Sequence, residues 1–283
     1  MTEKTAVVTG ASTGIGKEIA RGLARQGYRV FMVSRDPGRA AAALEDVKKS
    51  GGKVESIVAD LSLLSEAKRV VTEVKARTQR LDLLINNAAV VPNERNVTSE
   101  GFEQVFSTNV LSVFALTVGL EELLAAAAPS RVINFYGGNH REVHLDDLQS
   151  ERGAYNGWNA YGQSKLCDAL LTLEFSKRLA AKKITVNSAW PGIVNTEGMR
   201  ALGGSMKWFS ILMRPFMRSA PEGAKTPLWL STSSEVDAVT GKAFGTMFGD
   251  GKKELELPPD AKDPEKAKKL FEICEGLNSA SKG

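Results

Sequence analysis

Tyr161 and Lys165 stand four residues apart in Tyr161-Gly162-Gln163-Ser164-Lys165, inside a stretch patterned as a helix. Residues at i and i+4 share one helical face with Cβ atoms roughly 5–6 Å apart, so a phenol and an ammonium face the same side. An ordinary tyrosine titrates near about 10, too high for efficient acid–base work at neutral pH. A neighbouring ammonium favours the phenolate and lowers that value. The pair reads as a general acid and base in which Lys165 tunes Tyr161.

A second constellation lies at the other end of the chain. Thr9-Gly10-Ala11-Ser12-Thr13-Gly14-Ile15-Gly16 follows an apolar strand and opens a helix. Glycines at such a turn let the backbone bend tightly, approach a pyrophosphate and pack the helix on the sheet; the helix N-terminus then faces the anion. The strand–turn–helix setting makes this a dinucleotide cradle built from Gly10, Ser12, Thr13, Gly14, Ile15 and Gly16. The end of the second strand, Ser34-Arg35, selects between dinucleotides. Arg35 offers a planar fork matched to a 2′-phosphate, and Ser34 adds no repelling charge. Asp36 could instead turn inward, with Arg39 close by. NADP is therefore favoured over NAD, and Lys165 can hold the nicotinamide ribose hydroxyls beside Tyr161.

Positioning these groups requires a sheet. Short apolar runs alternate with helical stretches: strands at Thr5–Thr9, Arg29–Ser34, Val54–Ala59, Leu81–Asn86, Arg131–Phe135 and Ile184–Ala189. Helices are expected at Ile15–Gln26, ended by Gly27, and at Arg39–Lys49, Ser65–Thr78, Ser99–Ala127 with a break, and Ala160–Ala181. Continuous Val/Ile/Leu content in the strands predicts burial on both faces, and the β-α-β series predicts parallel strands covered by helices. Beyond Pro191 the pattern is less regular, with helices near Glu222–Leu230 and Pro264–Leu277, the latter opened by Asp263-Pro264-Glu265. The expected fold is α/β, a single-domain Rossmann-type, doubly wound, mostly parallel sheet of about seven strands with helices on both faces. Within the one domain, 1–190 forms the dinucleotide-binding core, 191–235 the substrate segment and 236–283 the C-terminal strand and helix.

Composition narrows the partners. In 283 residues, 42% hydrophobic and 25% charged content is the balance of a globular protein and excludes a disordered chain. The net charge of +4 is scattered, so nucleic acid is not an expected partner. Two cysteines, Cys167 and Cys274, make no disulfide framework, and no signal-peptide layout or 18-residue apolar run is present. A cytoplasmic location without stable membrane insertion is the expectation. His140 and His144, near Glu142, Asp146 and Asp147, lack zinc spacing, and no metal is expected.

These motifs, in their order and spacing, resemble the short-chain dehydrogenase/reductase family over almost the whole chain. Thr9-Gly10-x-x-x-Gly14-x-Gly16 is similar to its cofactor motif and Tyr161-x-x-x-Lys165 to its catalytic motif. Asp60-Leu61 resembles the pair whose carboxylate contacts adenine; Asn86-Asn87-Ala88-Ala89 resembles the Asn-Asn-Ala-Gly turn, with Ala89 in place of glycine. Asn109 matches the family's catalytic asparagine, which implies an anchor for a proton-relaying water. Pro191-Gly192-Ile193-Val194-Asn195-Thr196 resembles the segment at the nicotinamide end, which implies contacts from Pro191, Gly192, Val194 and Thr196. Gly14-Ile15-Gly16-Lys17-Glu18, His144-Leu145-Asp146-Asp147-Leu148 and Pro221-Glu222-Gly223-Ala224 look most like the retinol dehydrogenase branch, whose relatives include WW-domain oxidoreductases and protochlorophyllide reductases. The resemblance implies pairing of subunits into a homodimer or homotetramer.

One departure concerns the family's serine at the end of the fifth strand, which donates to the substrate oxygen. Aligning on Arg131–Phe135 puts Gly137 there. A missing oxyanion donor typically costs on the order of 10²–10³ in rate. Tyr136, Asn139 or His140 could substitute, with Asn139 preferred as a neutral amide; the substrate could supply its own polarisation; or the protein could bind cofactor with little turnover. Serine restored at 137 is expected to fold and to raise activity on simple ketones.

The stretch Met206–Arg218 is basic, aromatic and Met-rich. It could form a substrate lid, plain sheet-edge packing or a membrane contact, and the lid is favoured. Gly137, Asn139, Tyr155, Trp158, Trp208, Phe209 and Leu212 are the expected substrate-pocket residues. The leading expectation is an NADP(H)-dependent oxidoreductase moving hydride to or from a carbonyl or secondary alcohol of a fairly large lipophilic substrate. Reduction of a conjugated C=C bond is the alternative, and a cofactor-binding interaction protein the alternative of another class.

Overall fold

Strand β1 (Thr5–Thr9) is buried along its whole length, with apolar Ala6, Val7 and Val8 between two buried threonines. Helix α1 (Gly14–Arg25) turns Gly16, Ile19, Ala20, Leu23 and Ala24 inward, the three-and-four spacing of one buried face. It ends at Gly27, which adopts φ +82° in the expected left-handed stop. Strand β2 (Arg29–Ser34) leads to α2 (Pro37–Lys48), which starts two residues before the expected Arg39. The reason is local: Asp36 accepts from Arg39 N at 2.7 Å and Pro37 occupies the first turn. Then follow β3 (Val54–Val58), α3 (Leu64–Arg77) and the three-residue β4 (Leu83–Ile85).

The expected helix from Ser99 begins only at α4 (Gln104–Phe106), because Gly101 closes a turn onto Thr98 and Glu103 caps Phe106 N at 2.8 Å. A π-turn over Ser107–Leu111 separates α4 from α5 (Ser112–Gly119), and α6 (Glu121–Ala126) follows. Next come β5 (Ser130–Phe135), α7 (Gly157–Arg178) and β6 (Ile184–Trp190). Helix α7 starts before the expected Ala160 because Asn156 accepts from Trp158 N and Asn159 N. The last elements are α8 (Ala220–Gly223), α9 (Lys225–Thr232), β7 (Ala243–Gly245), α10 (Pro259–Lys262) and α11 (Pro264–Ala280). Asp263 caps α11 through Glu265 N and Lys266 N, as expected from its sequence.

The computed structural model describes residues 3–137, 140, 142–194, 217–247 and 249–280, and its seven strands form one parallel sheet in the order β3-β2-β1-β4-β5-β6-β7. Helices cover both faces, each over its own apolar core. Double-sided burial fails at β3: it is an edge strand, and Val58 is 42% exposed. The strand order reverses between β1 and β4, which opens a crevice at the C-terminal edge of the sheet.

A buried polar line fixes α7 against the sheet. Asn86 donates to Asn134 Oδ1 at 2.9 Å, and Asn134 donates to Thr172 Oγ1 at 2.9 Å. Thr172 gives its proton to the Asp168 carbonyl, so the 2.9 Å contact with Ser188 has Ser188 as donor. The line joins β4, β5, α7 and β6 below the crevice.

Candidate active site

The glycine turn closes over the crevice. Gly10 (φ +64°) and Gly14 (φ +56°) take the left-handed conformation that glycine reaches without strain. Gly16 allows close approach instead: a β-carbon there would fall 2.3 Å from Gly10 O and 2.5 Å from Asn87 Nδ2. Asn87 holds the turn's shape, donating to Thr9 O at 2.8 Å and Gly10 O at 3.2 Å. Ala88 N donates to Thr9 Oγ1 at 2.9 Å, which locks the turn after β4 to the turn after β1. Thr13 precedes α1 without a side-chain cap, so the first-turn N–H groups remain open to an anion. Ile15 contributes its backbone there, while its side chain lies beside Gly223.

At the end of β2 the Ser34 hydroxyl is buried and makes no hydrogen bond. Arg35 is exposed and makes no bond or ion pair with another described residue, whereas the Asp36 carboxylate is turned to the α2 cap. Asp60 accepts from Ser62 N at 3.0 Å, and the Leu61 side chain belongs to the core. An orphaned hydroxyl, an uncapped helix and a glycine cradle fit a dinucleotide with its adenosine end at Ser34-Arg35.

Tyr161 and Lys165 meet as their spacing requires, with Nζ 5.6 Å from the phenol ring centroid. The Tyr161 hydroxyl makes no bond to another described residue, and Trp158 stands edge-on to its ring at 5.7 Å. Lys165 carries a partner that spacing did not reveal: Nζ donates to Asp168 Oδ2 at 2.7 Å, with both side chains almost sealed from water. Burial pushes the Asp168 carboxyl up to about 6 against the pull of Lys165. Burial also disfavours the Lys165 ammonium, but Asp168 and Tyr161 outweigh it and hold the lysine above its ordinary value. The pair is ionised at neutral pH.

Asn109 lies in the π-turn and is fully buried. Its Oδ1 accepts from Val90 N at 2.9 Å, and its Nδ2 donates to Ser164 Oγ at 3.0 Å. The side chain therefore ties the loop after β4 to α7, and only its backbone is left for a water. Tyr155 donates to Glu103 Oε1 at 3.0 Å, which commits its polar end to the base of α4 rather than to a pocket. The His140 ring packs on Gly162, where a β-carbon would meet Nδ1 at 1.7 Å. Among the described residues no group of His, Cys, Asp and Glu could hold a metal ion.

The space expected beside Gly137 is not open. A β-carbon there would lie 3.2 Å from Cδ1 of Trp190, the last residue of β6. Pro191-Gly192 follows, and it is held by Arg218, a buried residue that donates to Pro191 O, Thr246 O, Glu222 O and Gly249 O at 3.0–3.2 Å. Val194 pairs with Arg218 in a parallel bridge. Asn139, Thr196, Trp208, Phe209 and Leu212 lie outside the described residues, as does Met206–Phe216. Asp168, Trp190 and Arg218 were missed because their spacing carries no motif; Arg218 was legible only as the last charge of a basic stretch.

The chain is similar in sequence and fold to known proteins. A family model for short chain dehydrogenases matches residues 4–206. The chain is 36% identical to retinol dehydrogenase 13 of Mus musculus over 277 residues, which is 95% of this chain and 81% of that protein. A crystal structure of an uncharacterized protein from Mycobacterium paratuberculosis superposes with a TM-score of 0.76 at 30% identity, covering 98% of this chain and 94% of the other. The Pseudomonas aeruginosa RhlG/NADP active-site complex matches with a TM-score of 0.69 at 28% identity, covering 86% and 94%.

Proposed function

The chain belongs to the short-chain dehydrogenase family, and from that premise we propose that it is an NADP(H)-dependent oxidoreductase acting on a carbonyl or secondary alcohol of a large lipophilic molecule. The observation that carries this reading is the Tyr161 ring, whose hydroxyl has no partner among the described residues, beside a buried Lys165 paired with Asp168. When bound, the dinucleotide supplies or accepts the hydride. In reduction the substrate carbonyl oxygen takes the Tyr161 proton as its carbon gains the hydride, and the phenolate left behind is stabilised by Lys165. In oxidation Tyr161 takes the hydroxyl proton. Lys165 also serves the ribose hydroxyls, and Gly10, Gly14, Gly16 and the α1 N-terminus serve the pyrophosphate.

NADP is favoured because Arg35 has no partner among the described residues while Asp36 Oδ1 accepts from the α2 cap. The NADP named in the RhlG complex agrees with that choice. A retinoid-like size and polarity follows from likeness to retinol dehydrogenases. The glycine at 137 favours one second reading, reduction of a conjugated C=C bond, in which an oxyanion donor matters less. Fluorescence titration with NADPH and NADH, followed by a panel of retinoid-like aldehydes, ketones and enones, tests the proposal. Tighter NADH binding overturns the cofactor choice, and turnover of enones alone transfers the reading to C=C reduction. Cofactor binding without any turnover would leave a binding protein.

A further inference from the structure

Position 137 has no side chain, yet the adjoining space holds a hydrogen-bond donor. A β-carbon on Gly137 would lie 3.2 Å from Cδ1 and 3.5 Å from Nε1 of Trp190, so the indole edge sits where a serine hydroxyl would project. We propose that the Trp190 N–H donates to the substrate oxygen in place of that hydroxyl, which makes Trp190 a catalytic residue; the inference rests on the oxidoreductase reading above.

Strand alternation puts the indole on the required side. Ser188 faces α7, since its Oγ contacts Thr172, and Trp190 two residues later shares that face with Tyr161's helix. Indole N–H is a donor only, neutral and unable to titrate, so it can polarise an oxygen without disturbing Tyr161. It makes no hydrogen bond to another described residue, and Trp190 is partly exposed; a cavity of about 450 Å³ on its β7 side is lined also by Gly245, Met247 and Leu255, and not by Tyr161.

Three other donors among the described residues are engaged or enclosed. Tyr155 is bonded to Glu103, and the His140 ring is pressed on Gly162. Trp158 Nε1 is also unpartnered but is sealed from solvent, whereas Trp190 borders open space.

Three arms test the assignment. Trp190→Phe keeps a ring but deletes the donor; ketone kcat should fall about 10²–10³-fold while NADPH affinity stays within about twofold. Trp190→Ala combined with Gly137→Ser makes room for a hydroxyl and should recover about tenfold or more over Trp190→Ala alone. In the ¹⁵N-tryptophan-labelled wild type bound to NADP⁺, addition of the ketone β-ionone should move the Trp190 indole proton downfield. That signal is assigned by its loss in Trp190→Phe or, should that variant not fold, by elimination with W158F, W208F and W229F. Trp190→Phe turnover within about threefold of wild type, while Tyr161→Phe abolishes it, overturns the inference and leaves the oxidoreductase reading standing. If the wild type turns over no carbonyl, that reading fails; an unmoved indole signal then overturns the donor role as well, and a shifted one supports it.

Discussion

Lys165 Nζ lies 2.7 Å from Asp168 Oδ2, one helical turn further into α7 than Tyr161 is from Lys165, and the two side chains are 3% and 1% exposed. The ammonium beside the phenol is thus itself held by a buried carboxylate. Desolvating such a pair costs several kcal/mol per ion, and mutual attraction repays it only when geometry and further hydrogen bonds are good. Here Asp168 Oδ1 has no partner, so the pair is more a fixture for Lys165 than a source of stability.

Removing the carboxylate separates these contributions. Asp168→Ala leaves an uncompensated buried ammonium and should destabilise the fold by about 3–5 kcal/mol in chemical denaturation. Asp168→Asn also leaves the ammonium without a counter-charge but keeps a hydrogen-bond acceptor for Nζ, so it should lose less stability than Asp168→Ala while Lys165 loses its ionic partner. The expected sign is a lower kcat for Asp168→Asn with NADPH affinity weakened by less than the kcat loss. Equal kcat in wild type and Asp168→Asn would show that Lys165 needs no partner.

The pH dependence of stability has a definite direction. The native state holds the Asp168 proton up to about 6, above the 3.8 of a free aspartate, so proton binding favours folding. That contribution is complete below about 4 and is lost as pH rises to about 6, after which it is constant. Wild-type stability relative to Asp168→Asn should therefore fall across this window by on the order of 2–3 kcal/mol. A difference that is flat or rises from pH 4 to 6 contradicts the burial argument.

Arg218 joins four carbonyl groups from Pro191, Thr246, Glu222 and Gly249 and forms no salt bridge with another described residue. Arg218→Ala leaves those buried acceptors without their donor, and unmade bonds to a charged group cost about 1.5–3 kcal/mol apiece before relaxation. A loss of about 3 kcal/mol or more is expected, with weaker NADPH binding because the Pro191-Gly192 turn is no longer braced. Thermal unfolding and a cofactor titration read the two effects, and Arg218→Lys should recover only part of each because one ammonium cannot span four acceptors.

Local chemistry was legible and adjacency across the sheet was not. Gly27, Asp263 and the glycine turn declare themselves because cap and turn geometry depends on neighbours in sequence. Strand existence and the parallel sheet follow from apolar runs with helical links, but burial at β3 depends on which strand lies at the edge, which no run of residues states. The same limit hid the contact of Trp190 with Gly137, one helical crossover away in the chain, and Asp168, an ordinary i+3 charge until burial isolates it. Asn109 was found by its motif, yet its side chain proves to be a brace between Val90 and Ser164, since the π-turn points it inward.

The proposed preference for NADP rests on Arg35, while Asp36 Oδ1 accepts from Arg39 N and so orients the carboxylate toward α2. Arg35→Ala should weaken NADPH about tenfold or more, a charge-assisted phosphate contact being among the stronger hydrogen bonds, and leave NADH nearly unchanged. The NADPH contribution should also shrink with added salt, since Arg35 is exposed and its field is screened. Asp36→Ala discriminates further: it should lower helix and protein stability by about 1 kcal/mol through the lost cap without improving NADPH over NADH. If Asp36→Ala instead raised NADPH affinity while Arg35→Ala left it unaltered, the carboxylate rather than the guanidinium would govern the adenosine end.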